Sequence, residues 1–215
     1  MNLVEKEIII RNHHFVLTNQ RALFWKNEKS LIISDLHLGK TAHFRKNGIA
    51  LPADIIHQDL QRLSYLIEFY ICEKLIIVGD FIHAGKNSEF EIFKTWKMQF
   101  PNLKIILVKG NHDKISIETL YNLGVSEVYK QLRIDDFIFN HEDLEMQDFF
   151  VISGHIHPGV SLQSTVRKFL KFPCYIVSED KFILPAFSSF TGLDTQDYYP
   201  NAQKYIFDDA CILEL

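Results

Sequence analysis

Five short stretches carry metal-binding side chains in a fixed order: Asp35-Leu36-His37, Gly79-Asp80, Gly110-Asn111-His112-Asp113, His141 and Gly154-His155-Ile156-His157. Asp35 and His37 are two apart, as are His155 and His157. In an extended segment such residues project to one side, so each pair could pinch one ion or flank two. Asp80 is short, anionic and able to bridge two cations through its two oxygens. Asn111 offers a neutral oxygen and His141 another imidazole. A nitrogen and oxygen set without thiolate suits two divalent ions, Mn first, with Fe, Zn or Co as alternatives, better than a structural zinc. Charge balance then points to phosphoester hydrolysis. Two divalent ions are offset by Asp35, Asp80, a bridging hydroxide and a bound phosphodiester. Such ions, roughly 3.5–4 Å apart, both generate the nucleophile and clamp the phosphoryl group. His112, next to Asn111, should project differently and could donate a proton or hydrogen bond to the leaving oxygen, with Asp113 fixing its tautomer.

Most of these groups follow an apolar β-branched run: Leu31-Ile32-Ile33-Ser34, Leu75-Ile76-Ile77-Val78, Ile105-Ile106-Leu107-Val108 and Phe137-Ile138-Phe139. Ligands just past the carboxyl ends of strands converge on one rim of a sheet. Short strands are expected at 4–11, 15–18 and 22–25, feeding the strand that ends at Ser34. Pro52 and Asp54 open a helix whose Ile56, Leu60, Leu63, Ile67 and Ile71 keep helical spacing. A second helix is expected over 88–100, with Phe93 and Trp96 inward, before the strand at 105–108. This alternation implies right-handed crossovers and a mostly parallel core. Beyond a short helix at 115–122, strands are expected at 131–135, 137–141, 149–153, 159–163, 174–178, 182–185 and 205–213. The expected architecture is an α/β fold, a four-layer α/β/β/α sandwich with two mixed sheets and helices outside.

At 215 residues, 47% hydrophobic and 23% charged, without repeats or low-complexity tracts, the chain reads as a single domain, 1–215. The start lacks the pattern of a signal peptide and no apolar run approaches a membrane span, so a soluble, cytoplasmic protein with no membrane partner is expected. Cys72, Cys174 and Cys211 lack metal spacing and sit in apolar contexts, which reads as buried, reduced thiols. A net charge of −4 argues against a broad nucleic-acid footprint; any polymer must be held locally, by metals and a few basic residues.

The five motifs resemble the calcineurin-like metallophosphoesterase superfamily, whose signature is Asp-x-His, Gly-Asp, Gly-Asn-His-Asp or -Glu, a lone His, and Gly-His-x-His. The resemblance spans residues 35 to 157. It implies that Asp35, His37, Asp80 and His157 hold one metal, that Asp80, Asn111, His141 and His155 hold the other, and that His112 acts beside them. Ser34-Asp35-Leu36-His37-Leu38-Gly39-Lys40, His43-Phe44-Arg45-Lys46-Asn47-Gly48-Ile49, Leu51-Pro52, Leu184-Pro185-Ala186-Phe187 and Phe190-Thr191-Gly192 are similar to the ligase-associated DNA damage response endonuclease group. That narrower resemblance implies a phosphodiesterase or nuclease acting on DNA in repair, associated with a DNA ligase and a helicase. Two departures, His141-Glu142-Asp143 for an expected His-Glu-Pro and Ser188-Ser189 for Gly-Ala, touch no expected ligand and leave fine specificity open.

Taken singly, Asp35, Asp80 or His141 would read as a strand-end turn residue or a satisfied polar group; the set reverses that. His83 reads equally as support for the ligands or as loop surface, and His13, His14 and His57 as surface or core. Lys40 and Arg45 are candidates to contact phosphate. Arg167, Lys168 and Lys171, interleaved with Phe169 and followed by Phe172, read first as a strand with one buried face and second as a nucleic-acid platform. Phe187 and Phe190 read as core or interface anchors. Three functions are therefore weighed: a two-metal phosphodiesterase on DNA or a nucleotide phosphodiester; a small-molecule phosphomonoesterase or nucleotide pyrophosphatase, favoured by the acidic charge; and a noncatalytic scaffold, disfavoured by the complete ligand set. Oligomeric state is open, a homo-oligomer included.

Overall fold

The computed structural model describes residues 2–41, 44, 48, 54–83, 85, 87–163 and 169–215. The first sheet orders its strands as they occur in the chain: β1 (Glu5–Ile10), β2 (His13–Thr18), β3 (Leu23–Trp25), β4 (Ser30–Ile33), β5 (Lys74–Val78), β6 (Lys104–Val108) and β7 (Glu127–Tyr129). The first four strands form an antiparallel meander, and β4 to β7 run parallel. Helices α1 (Ile55–Tyr70), α2 (Ser88–Met98) and α3 (Ile117–Asn122) provide the crossovers. β7 lies outside the expected strands, because Glu127-Val128-Tyr129 is too short to show a period.

The second sheet is built from β8 (Leu132–Ile134), β9 (Phe137–Phe139), β10 (Phe150–Ser153), β12 (Leu170–Val177), β13 (Lys181–Ile183), β14 (Gln203–Phe207) and β15 (Ile212–Glu214), with β11 (Gly159–Leu162) paired to β12. It too is mixed: β10 is parallel to β9 and β13, and the other pairs are antiparallel. The single strand expected over 205–213 is a hairpin. Asp208 accepts from the amides of Ala210 (2.8 Å) and Cys211 (2.9 Å) and so turns the chain.

Alternation along the strands sorts the core. Leu31, Ile33, Leu75, Ile77, Ile105 and Leu107 face α1, α2 and α3, while Ile32, Ile76, Val78, Ile106 and Val108 face the second sheet. Between the sheets lie Phe15, Trp25, Phe137 and Tyr175. Trp25 and Phe15 stack at 5.3 Å, and Phe137 meets Trp25 edge-on at 5.1 Å. The buried Tyr175 hydroxyl lies 2.7 Å from the Thr18 carbonyl and 2.9 Å from that of Ala22, so its proton is satisfied inside the core. Burial keeps that hydroxyl well above the usual phenol range.

The stretch after β13 joins the two sheets. The Leu184 amide donates to Ser153 (2.8 Å), then Phe187 donates to Ser34 (2.8 Å) and Ser188 to Asp35 (3.2 Å). The ends of β4 and β10, each followed by candidate ligands, are thus tied to one strap. Cys174 is buried, whereas Cys72 and Cys211 are half-buried. No helix among the described residues is long and apolar enough to cross a membrane.

Candidate metal centre

The loops that leave β4, β5, β6, β9 and β10 bring the seven ligand candidates into two adjoining groups. In one, Asp35, His37 and His157 offer donor atoms that lie within 4.8 Å of one another. His157 Nε2 is 3.2 Å from Asp35 Oδ1 and 3.3 Å from His37 Nε2. In the other, Asp80, His141 and His155 converge equally closely. His141 Nε2 is 3.3 Å from Asp80 Oδ1, 3.1 Å from His155 Nδ1 and 3.0 Å from Asn111 Oδ1.

These donors fit cations. Two facing imidazole nitrogens can share only one proton, and Asp35 Oδ1 is buried without a hydrogen bond among the described residues. A lone pair so placed is costly unless a cation takes it. Burial, with the positive charge of Lys40, pushes His37 down to about 3 against the pull of Asp35 and Asp80, so its imidazole is neutral and able to ligate. For Asp80 burial opposes ionisation, but contacts with His141 and the His112 amide outweigh it and hold the carboxyl at about 2. His141, also penalised by burial, is raised by Asp80 and Asp35.

The route to convergence differs from the extended pairs expected from spacing. Asp35 (φ 53°), His37 (φ 53°), Asp80 (φ 45°), His155 (φ 70°) and His157 (φ 51°) all occupy the left-handed region. The loops after β4 and β5 continue side by side: Asp35 donates to Gly79 (3.1 Å), His37 to Asp80 (2.9 Å) and Leu38 to Phe81 (2.8 Å) through their amides. Gly79 permits the approach of His141, since a Cβ there would overlap the imidazole. The second oxygen of Asp35 accepts the His155 amide at 3.1 Å, locking the two sheets' loops together.

His112 stands apart from both groups, half-exposed, with Nε2 4.0 Å from Asp80 Oδ2 and its amide donating to Asp80 Oδ1 at 3.0 Å. Asp113 does not serve the His112 ring as expected. Its buried carboxylate accepts the amides of Gly110 (2.8 Å), Ile82 (2.8 Å) and Phe81 (3.3 Å), latching the loop after β6 to the loop after β5. Burial raises its pKa against the effect of those three bonds. His83 belongs to the site: its ring stacks on His112 at 5.1 Å and meets His37 edge-on at 5.3 Å. Lys40 is half-buried; burial lowers its pKa, while Asp35 and Asp80 act in the other direction.

Arg45 lies outside the described residues, as do Pro52, Arg167 and Lys168. Phe172 packs on the second sheet, but Phe169 is 66% exposed, so the strand with one buried face holds only in part. Phe187 is buried against Arg62, whose guanidinium sits 4.3 Å over its ring, and Phe190 meets Phe44 at 5.9 Å. His13 packs on Trp25, and His14 pairs with Glu7 at the surface.

Two supports escape sequence reasoning. Buried Glu89 accepts the Gly39 amide (2.6 Å) and the Thr41 hydroxyl, fixing the loop beyond His37 to the first turn of α2. Buried Asp59 pairs with Arg62 (2.9 Å) and receives the Ser189 amide and hydroxyl, while Arg62 donates to the Phe187 carbonyl. Only the helical position of Asp59 and Arg62, three apart beside apolar residues, could have hinted at it.

The calcineurin-like phosphoesterase profile matches residues 29–183, a span that contains every ligand candidate. The chain belongs to the calcineurin-like phosphoesterase family. Phosphoesterases of this family use divalent metals, and the chain is accordingly a metal-dependent phosphoester hydrolase. Among solved structures, the chain is similar to the nuclease MPE of Pseudomonas putida, at 27% identity and a TM-score of 0.84, covering 99% of this chain and 100% of that one. A protein of unknown function from Aquifex aeolicus, AQ665, is 22% identical over 60% of this chain and 78% of its own, with a TM-score of 0.41. The phosphoesterase Yfce of E. coli is 15% identical over 86% and 97%, with a TM-score of 0.43. No curated protein sequence matches this phosphoesterase.

Proposed function

We propose that residues 1–215 form one catalytic unit, a two-metal phosphodiesterase that cleaves DNA as a nuclease. The observation that carries this reading is the pair of adjoining nitrogen and oxygen clusters on one rim, with His112 exposed beside them. Similarity over nearly the whole chain to a nuclease supports the substrate. Asp35, His37 and His157 hold one ion and Asn111, His141 and His155 the other. Asp80 would be shared, as the family resemblance implies, with its Oδ1 3.3 Å from His141 Nε2. The ions, Mn first and otherwise Fe, Zn or Co, supply Lewis acidity at the phosphoryl group and a nucleophile from water at neutral pH.

The chain's own groups do the rest. Asp80 orients the His112 backbone, and the His112 imidazole donates its proton to the departing oxygen. Lys40 sets a positive charge beside Asp35 and Asp80, where a phosphate oxygen is neutralised. Asp113 acts only by holding the loop. A cytoplasmic repair role alongside a DNA ligase and a helicase is part of the same proposal and rests on the endonuclease-group resemblance.

The second reading, a small-molecule monoesterase or pyrophosphatase, is favoured by the net charge of −4. Protein loaded in turn with Mn, Fe, Zn and Co is to be assayed on single-stranded DNA, bis(p-nitrophenyl) phosphate and p-nitrophenyl phosphate. Turnover of DNA and the diester well above the monoester is expected. Preference for the monoester establishes the second reading, and inactivity on every substrate defeats both.

A further inference from the structure

We infer that a lysine-lined cleft beside the candidate metal centre seats the phosphates that flank the one attacked, holding a DNA strand locally on an otherwise acidic protein. The cleft, of about 450 Å³, shares Asn111 and His141 with the metal centre and adds Lys109, Lys114, Lys130 and Glu142. It opens where β6 and β7 of the first sheet meet β9 of the second. Val108 and Tyr129 are the last paired residues of their strands, and the Lys109 amide continues the pairing to the Tyr129 carbonyl at 2.8 Å. The sheet register therefore fixes Lys109 and Lys130 as neighbours.

The charges at this place are left open. Seven lysines elsewhere are neutralised: Lys6 by Glu214, Lys26 by Glu7, Lys29 by Glu73, Lys74 by Glu28, Lys104 by Glu127, Lys181 by Asp143 and Lys204 by Asp197. Lys109, Lys114 and Lys130 have no ion pair among the described residues. Of the two carboxylates in the lining, Asp113 is turned into the wall and consumed by three amides, which leaves Glu142 alone against three ammonium groups. Three unpaired cations around a concave surface attract a polyanion. Because Asn111 and His141 form part of the wall, a strand whose phosphate reaches them carries its neighbouring phosphates against the lysines.

This inference rests on the phosphodiesterase reading, and its test separates the two. Lys109→Gln, Lys114→Gln and Lys130→Gln are to be combined, with Lys94→Gln on the exposed face of α2 as control. Anisotropy of a fluorescein-labelled phosphorothioate single strand with Mn-loaded protein is to be followed across salt concentrations. The triple variant should bind about tenfold or more weakly near physiological salt, and its log affinity against log salt should flatten by about 2, at roughly 0.7 for each phosphate no longer neutralised. The kcat/KM ratio of oligonucleotide to bis(p-nitrophenyl) phosphate should fall with it. Affinity and slope equal to those of Lys94→Gln overturn the cleft, as does an equal loss on both substrates. If the unmodified protein cleaves neither substrate, the catalytic reading fails while the binding arm still decides the cleft.

Discussion

Gly79 carries the chain from β5 to Asp80 at φ 78°, and a methyl added there would overlap the His141 imidazole. Gly79→Ala therefore has two separable costs. A Cβ in the left-handed region costs roughly 1–2 kcal/mol, and displacing a ring from a filled site costs roughly 1–3 kcal/mol more. The sum, about 2–5 kcal/mol, should lower Tm by about 4–20 °C in a chain of this size. The ring that moves is the one 3.3 Å from Asp80 and 3.0 Å from Asn111, so affinity at one of the two proposed ion sites should fall by more than about 100-fold. Urea unfolding of the metal-free protein gives the first quantity, and calorimetric titration with Mn the second. A double-mutant cycle isolates the overlap: in a His141→Ala background, Gly79→Ala should cost only the backbone part, about 1–2 kcal/mol. Gly192→Ala, with nothing within 4 Å of its added Cβ, should stay within about 1 kcal/mol of the parent. Equal costs in both backgrounds, or two ions still bound at parental affinity, would refute the packing of His141 on Gly79.

Three further outcomes are expected. His112→Ala should lower kcat on bis(p-nitrophenyl) phosphate by about 10²–10⁴-fold with metal stoichiometry unchanged; loss of an ion would make His112 a ligand instead. Arg62→Ala strands buried Asp59 and should cost about 3–5 kcal/mol in urea unfolding, whereas Asp59→Leu with Arg62→Met should cost less than the two changes summed. Burial pushes the Cys72 and Cys174 thiols up to about 12, against an ordinary 9.0, so a thiol-specific chromogenic disulfide at pH 8 should leave both unreacted until the protein unfolds. Because the folded pKa values are the higher ones, the corresponding stability is complete below pH 9 and lost as pH rises towards 12; a flat urea midpoint across that window would contradict the burial.

The chemistry of this phosphoesterase was legible because ligation demands particular side chains after strand ends, and those survive as residue types at fixed spacings. What holds them was not. Asp113 follows His112 in sequence, yet its amide folds back to the Gly110 carbonyl, and its carboxylate faces backbone rather than imidazole. The Asp59–Arg62 pair and Glu89 reach segments 130 and 50 residues away, a separation across which a sequence period carries no information. The central strands showed plainly as unbroken apolar runs, since they are buried on both faces. The three-residue β7 and the Asp208 turn depend on neighbours and local hydrogen bonds, and left no period to read.

The backbone beneath the ligands explains why the supports must be so extensive. Five ligand candidates hold φ between 45° and 70°, each at a cost of order 1 kcal/mol or more. Asp and His belong to the few non-glycine types that tolerate this region, so the demands of ligation and of the backbone select similar residues. The cost still has to be offset elsewhere. Leu36 and Leu38 are buried in the helix-side core, Asp113 and Glu89 take up amides of the same loops, and the Asp59–Arg62 pair holds the strap that donates to the Ser34 and Asp35 carbonyls. The candidate ligands, by contrast, find their partners chiefly in one another and in the backbone of adjoining loops. Much of the geometry is thus held by groups outside the candidate set, with Asp35 and Asp80 adding one amide bond each, and removing the ions need not collapse the site. A metal entering such a site meets donors already in position, and its binding energy is not spent on ordering the loops.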